Sequence, residues 1–281
     1  MLFLIYGGFG WIGDKISKLL IENGHTIHKS KLRLEEREKI LKELEEIKPD
    51  RVINCAGKTG TPNVDWCETH KKEVIKSNVF GTLNLIDCCD EKNIHLTNLA
   101  TGCIFEYDDI HKNGFSEDDL PNFFGSFYSY TKGIVETLSR NYENLLTLRL
   151  RMPISDDLHP RNFITKIINY EKVVNIPNSM SILHDLLPCL IKMSENKTTG
   201  IVNFVNPGVI SHNEILDLYK KYIDPTFEYT NFSIEEQNKI LKAGRSNNEL
   251  DTTKIKSMFP DLPDIKTSII NVFERMKNNK K

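Results

Sequence analysis

Apolar positions come first as one short run, Leu2–Tyr6, closed by glycines. A run that short and continuous predicts a strand buried on both faces. Residues 11–23 then read as an amphipathic helix stopped by Gly24, and residues 26–28 as a second strand. A charged helix over 35–48 is closed by Pro49, and a third strand over 51–55 ends at Ala56-Gly57. The alternation continues with helical periodicity over 71–92, broken near Asn78. A strand at 95–100, a helix at 126–144 and a strand at 145–150 follow, the last stopping at Met152-Pro153. Strand–helix alternation of this kind predicts an α/β fold, a doubly wound parallel sheet of the Rossmann type.

Composition shifts after Pro153: Asn, Pro and Ser become denser and the alternation fades. Residues 154–160, 175–180 and 204–212 read as loops around short elements. The expectation is a dinucleotide-binding domain over 1–155, with part of 178–203 returning to it. Residues 156–177 and 204–281 would form a smaller, discontinuous substrate lobe at the C-terminal side.

The chain has 281 residues, 39% hydrophobic and 27% charged, with a net charge of -2. That length accommodates one large α/β domain with a lobe. The charge balance gives no footprint for nucleic acid or an anionic membrane. Lys277 to Lys281 reads as a solvated tail. The six cysteines show no CxxC spacing, and His111, His159, His184 and His212 are spread apart, so no metal site is expected. The first strand lacks a charged leader, and the thiols are expected to be reduced, as in a cytoplasmic protein.

Candidate chemistry begins at the turn Gly7-Gly8-Phe9-Gly10-Trp11-Ile12-Gly13, between a strand and a helix. Glycines there let backbone N–H groups approach a pyrophosphate, and the helix N-terminus favours its charge. The cradle is expected to involve Gly7, Gly10, Trp11, Ile12 and Gly13, with Ala56 and Gly57 beside it. The second strand does not end in the acidic residue that binds a ribose 2′-hydroxyl; Lys29, Lys31, Arg33 and Leu34 follow instead. Cations there suit a 2′-phosphate, so NADPH is favoured, with NADH the alternative. Arg33 is the best single candidate.

Tyr128 and Lys132 share one helix face, and a nearby cation is expected to lower the phenol's pKa. Such a tyrosine can protonate the oxygen formed when hydride adds to a ketone. Thr101 stands at the carboxyl end of a strand, where open α/β sheets bind ligands, and its hydroxyl can hold the same oxygen. Cys103 reads either as a small apolar filler or as a proton shuttle, and Lys166 as a solvated position or a base.

The glycine triplet, Thr101 and the Tyr128/Lys132 pair in this order resemble the extended short-chain dehydrogenase/reductase family. Longer runs are more specific: 62–68 (PNVDWCE), 100–106 (ATGCIFE), 161–166 (RNFITK), 173–180 (VVNIPNSM) and 245–251 (RSNNELD). They resemble the plant-type bifunctional 3,5-epimerase/4-reductases of UDP-4-keto-6-deoxy-glucose, over nearly the whole chain. That resemblance implies conversion of this substrate to UDP-L-rhamnose with NADPH. It implies epimerase roles for Cys103 and Lys166, substrate or cofactor contacts for Trp66, Asn162, Arg245, Met152 and Pro153, and a helix-bending Asn78 that is either a cofactor contact or structural. It also implies a homodimer supplied by a separate 4,6-dehydratase. Thr101 is followed by Gly102-Cys103 rather than by an acidic pair, which argues against dehydratase activity in this chain. The alternatives are a 4-keto reductase without epimerase activity, or a non-catalytic NADP-binding regulatory subunit.

Overall fold

The computed structural model describes residues 1–279, apart from the side chain of Asn238. The sheet half comprises β1 (Leu2–Tyr6), α1 (Trp11–Glu22), β2 (Thr26–Lys29), α2 (Arg37–Ile47), β3 (Arg51–Asn54) and α3 (Asp65–Thr69). It continues with α4 (Lys71–Val74), a π-helical segment (Ile75–Gly81), α5 (Thr82–Glu91), β4 (Leu96–Thr101), α6 (Phe127–Ser139) and β5 (Leu145–Leu150). Next come α7 (Phe163–Ile167), β6 (Lys172–Val173), α8 (Leu183–Glu195), β7 (Gly200–Asn203) and α9 (His212–Tyr222). The chain ends with β8 (Thr230–Asn231), α10 (Ile234–Ile240), α11 (Thr253–Met258) and α12 (Ile265–Asn278).

Six parallel strands line up as β2-β1-β3-β4-β5-β7, the doubly wound arrangement expected. Strand alternation divides the core. Phe3, Ile5, Ile53 and Leu148 face α1 and α8, while Leu4, Tyr6, Val52 and Leu96 face α2 and α5. Both faces are apolar because helices cover both. Strand order reverses at β1 and β3, so the loops leaving these strands flank a crevice where ligands bind in such sheets. Helix α11 also reaches the first face, bringing Ile255, and Leu262 follows it there. A second core gathers Ile164, Ile167, Val173, Ile215 and Phe273 from α7, β6, α9 and α12.

Three elements differ from the sequence reading. The expected break near Asn78 is instead a π-helical widening inside continuous helix. The helix expected over 126–144 stops at Ser139. Beyond it, Asn141 and Asn144 turn their amides onto backbone carbonyls of Leu138, Cys89 and Ile94, the local competition that ends helices. Lys277 belongs to α12 rather than to a tail, and Lys280 and Lys281 lie outside the described residues. Among the described residues no helix is long and apolar enough to cross a membrane.

Candidate active site

Strand β1 delivers the glycine turn to the crevice. Gly7 has φ +72°, and a Cβ there would stand 2.6 Å from the Ala56 backbone nitrogen. A Cβ on Gly13 would stand 2.3 Å from the Gly7 carbonyl oxygen, so these two positions admit only glycine without backbone movement. The Gly10 N–H donates to the Gly7 carbonyl at 3.0 Å, and the Asp14 N–H to the Gly10 carbonyl at 2.8 Å. No side chain caps α1, which leaves its first-turn N–H groups for an anion. Opposite, Ala56 and Gly57 line the cavity. Asn78 clamps the next residue: its Oδ1 accepts from the Lys58 N–H, and its Nδ2 donates to the Lys58 carbonyl, each at 2.7 Å. This bare, side-chain-free cradle fits a dinucleotide pyrophosphate.

The side chain of Trp11 turns away from that cradle. Its indole N–H donates to Asp157 at 3.0 Å and its ring stacks on His159, tying α1 to the segment after β5. Ile12 does line the cavity. At the end of β2, Lys29 is held by Asp14 at 2.9 Å, and Ser30 bonds Glu43. Arg33 stays largely exposed, paired with Glu35 at 3.0 Å. Leu34 is buried in the core between α2 and α5.

The chemistry gathers where β4 meets α6, in a cavity of about 960 Å³. Thr101 is the last residue of β4, and Tyr128 and Lys132 project from α6, whose start is capped by the Ser126 hydroxyl. All three line the cavity, with Cys103, Met152, Pro153 and Lys166. The expected lowering of the tyrosine pKa is reversed by its surroundings. Burial pushes the Tyr128 phenol up, the Cys103 sulfur adds to this, and only a hydrogen bond with Thr101 works the other way. Burial also depresses the Lys132 ammonium to about 8, with Glu136 opposing. The two side chains share a cavity, and desolvation is the largest influence on each. The same physics helps Lys166, whose ammonium is destabilised by burial and then by Arg161. A lysine so placed gives up its proton more readily than one in water.

Cys103 is half-buried beside Tyr128, Cys67 and Trp66. Its N–H donates to the Thr101 hydroxyl oxygen at 3.1 Å. A side chain absent from the sequence reading, Arg151, fixes this turn. Fully buried, it donates to the carbonyls of Gly102, Ser179 and Ser246 and to the Asn178 side chain. It thereby joins three segments distant in sequence, and no local signal marks it.

Two expected substrate contacts lie elsewhere. Asn162 is fully buried; its amide donates to the Ser155 and Asp157 carbonyls and its oxygen caps α7, so it shapes the turn rather than meeting a pyrophosphate. Trp66 stacks on His70 at 3.9 Å under the Lys58 ammonium, behind the cavity wall. Arg245 does line the cavity, anchored to Asp65 at 2.9 Å. Asp65 and His212, which also lines the cavity, were not singled out as site residues from the sequence.

A family described as the RmlD substrate binding domain matches residues 1–187. The chain belongs to that family. Within the RmlD family it is similar to a bifunctional dTDP-4-dehydrorhamnose 3,5-epimerase/dTDP-4-dehydrorhamnose reductase of Arabidopsis thaliana. The two are 58% identical over 98% of this chain and 93% of that protein. A trifunctional UDP-glucose 4,6-dehydratase/UDP-4-keto-6-deoxy-D-glucose 3,5-epimerase/UDP-4-keto-L-rhamnose-reductase of the same plant is 55% identical, over 95% of this chain but 41% of that protein. The crystal structure of the L780 UDP-rhamnose synthase from Acanthamoeba polyphaga mimivirus superposes with a TM-score of 0.95. It is 45% identical and the match covers 98% of this chain and 99% of that one.

Proposed function

We propose that this RmlD-family chain converts UDP-4-keto-6-deoxy-D-glucose to UDP-L-rhamnose, inverting carbons 3 and 5 and then reducing carbon 4. The observation that carries the reading is one cavity lined by Thr101, Cys103, Tyr128, Lys132 and Lys166. Hydrogens on carbons 3 and 5 flank the 4-keto group, so removing either leaves charge on the oxygen that Tyr128 and Thr101 hold. Cys103 and Lys166 serve as the proton-transferring pair, one taking and one returning the proton on opposite faces. Tyr128 then protonates the carbon-4 oxygen during reduction, held by the Thr101 hydroxyl, while Lys132 supplies positive charge beside it. NADPH, when bound against Gly7, Gly10 and Gly13, supplies the hydride. Arg245 recognises the substrate diphosphate.

The keto sugar is expected from a separate 4,6-dehydratase, because Thr101 is followed by Gly102 and Cys103 without a carboxyl pair. A homodimer is proposed through the exposed Phe80 of the π segment and Tyr130 and Leu138 of α6, which packs beside it. Six free cysteines suit a reducing compartment such as the cytoplasm. The test is incubation with UDP-4-keto-6-deoxy-glucose in deuterated water, followed by NMR. Exchange at carbons 3 and 5 without NADPH, and UDP-rhamnose with it, is expected. Cys103→Ala is expected to lose exchange by roughly 10²–10⁴-fold while still reducing an already epimerised keto sugar. Full exchange in that variant would remove Cys103 from the mechanism.

A further inference from the structure

The cavity that holds Tyr128 is also lined by a histidine with no role in the proposed reaction, His212. His212 opens α9, just after the Ser211 cap, and is 9% exposed. Its ring meets Phe163 edge-on at 5.2 Å and lines the cavity. Nδ1 is buried and has no hydrogen-bond partner among the described residues. Nε2 also has no partner there, yet it is not among the buried unpartnered atoms, so this nitrogen is the solvent-accessible one of a ring that lines the cavity. A buried N–H without an acceptor costs more than a buried lone pair without a donor. The proton therefore sits on Nε2, and the ring presents an N–H donor to the cavity. Burial keeps it neutral by depressing its pKa to about 4. The position adds a second preference, since the N-terminal end of an 11-residue helix favours negative charge.

We infer that His212 is a substrate-binding residue whose Nε2–H donates to an acceptor oxygen of the nucleoside diphosphate. The diphosphate oxygens and the uracil or ribose oxygens share that chemistry. The inference rests on the cavity being a nucleotide-sugar site, and it leaves catalysis at carbons 3, 4 and 5 to the residues already assigned. It also predicts an unusual stability result. Replacing His212 by leucine removes an unpaired buried nitrogen, so the melting temperature should hold or rise, whereas a purely structural histidine would lower it.

Calorimetry with UDP, uridine and inorganic pyrophosphate tests this without requiring turnover. In His212→Leu, UDP affinity should fall roughly 5- to 100-fold, the range for a buried partner left unpaired. NADPH affinity should be unchanged, and KM for the keto sugar should rise with kcat nearly constant. His212→Gln, which keeps a donor, should recover part of the loss. A matching loss with pyrophosphate assigns the contact to the diphosphate, and a loss with uridine assigns it to the nucleoside. Unchanged UDP affinity in His212→Leu, or failure of that variant to fold, overturns the inference. Weakened UDP binding in a chain that shows no epimerisation would uphold the contact and sink the proposed reaction instead.

Discussion

The two walls of the cavity are built by different means. The sheet wall takes its functional groups from regular elements: the turn after β1, the last residue of β4 and one face of α6. Each position there follows from helix or strand geometry a few residues away. The lobe wall is held by contacts between distant segments, such as Arg245 to Asp65, 180 residues apart, and Arg151 to Ser246, 95 apart. The first arrangement is fixed once the sheet forms. The second depends on polar bonds across loops, so a substitution at one of those anchors should change binding before it changes chemistry.

Tyr128→Phe tests the sheet wall and should have the largest effect. The phenol is the only proposed acid for the carbon-4 oxygen, so NADPH oxidation with the keto sugar should drop by roughly 10²–10⁴-fold. Far-UV circular dichroism and NADPH binding should be retained, because the ring remains and only the hydroxyl is lost. A loss below tenfold in steady-state rate would move the acid to another group. Arg245→Met tests the lobe wall with a smaller effect. Removing a hydrogen-bonding charge from the substrate costs about 1.5–3 kcal/mol, so KM should rise roughly 10- to 100-fold with kcat within a few-fold. An equal drop in kcat would show that the lobe wall also shapes the transition state, and the contrast between the walls would fail.

The same contrast explains what was legible in the sequence. Hydrophobic runs, glycine spacing and an i,i+4 pair report local geometry, and they located Gly7, Gly13, Thr101, Tyr128 and Lys132 on the crevice. Asn162 shows the limit. An asparagine before a short helix serves as its cap or as a ligand, and the choice lies in whether Ser155 and Asp157 present their carbonyls to it. Trp66 fails similarly: an aromatic beside Cys67 gives no hint that His70 will stack on its ring or that the Lys58 ammonium will sit over it. His212 and Arg151 are invisible because their setting is tertiary, a ring against Phe163 and a guanidinium among three loops. Even the legible pair carried an electrostatic error, since the sign of the shift on Tyr128 depends on burial, which spacing does not report.

That error yields the smallest and most discriminating effect. A lysine whose ammonium is depressed to about 8 is charged below that pH and loses its charge as pH rises through it. Reduction relies on the positive form of Lys132, and kcat/KM reports the free enzyme. With an already epimerised keto sugar, which takes Lys166 out of the rate, kcat/KM should therefore fall above pH about 8, by a few-fold between pH 7.5 and about 8.5. Lys132→Arg keeps a guanidinium charged throughout this range, so the alkaline limb should vanish even if the variant is slower. A limb that persists unchanged in Lys132→Arg would belong to another group. The depressed lysine would then be a by-product of burial on the sheet wall rather than part of its chemistry.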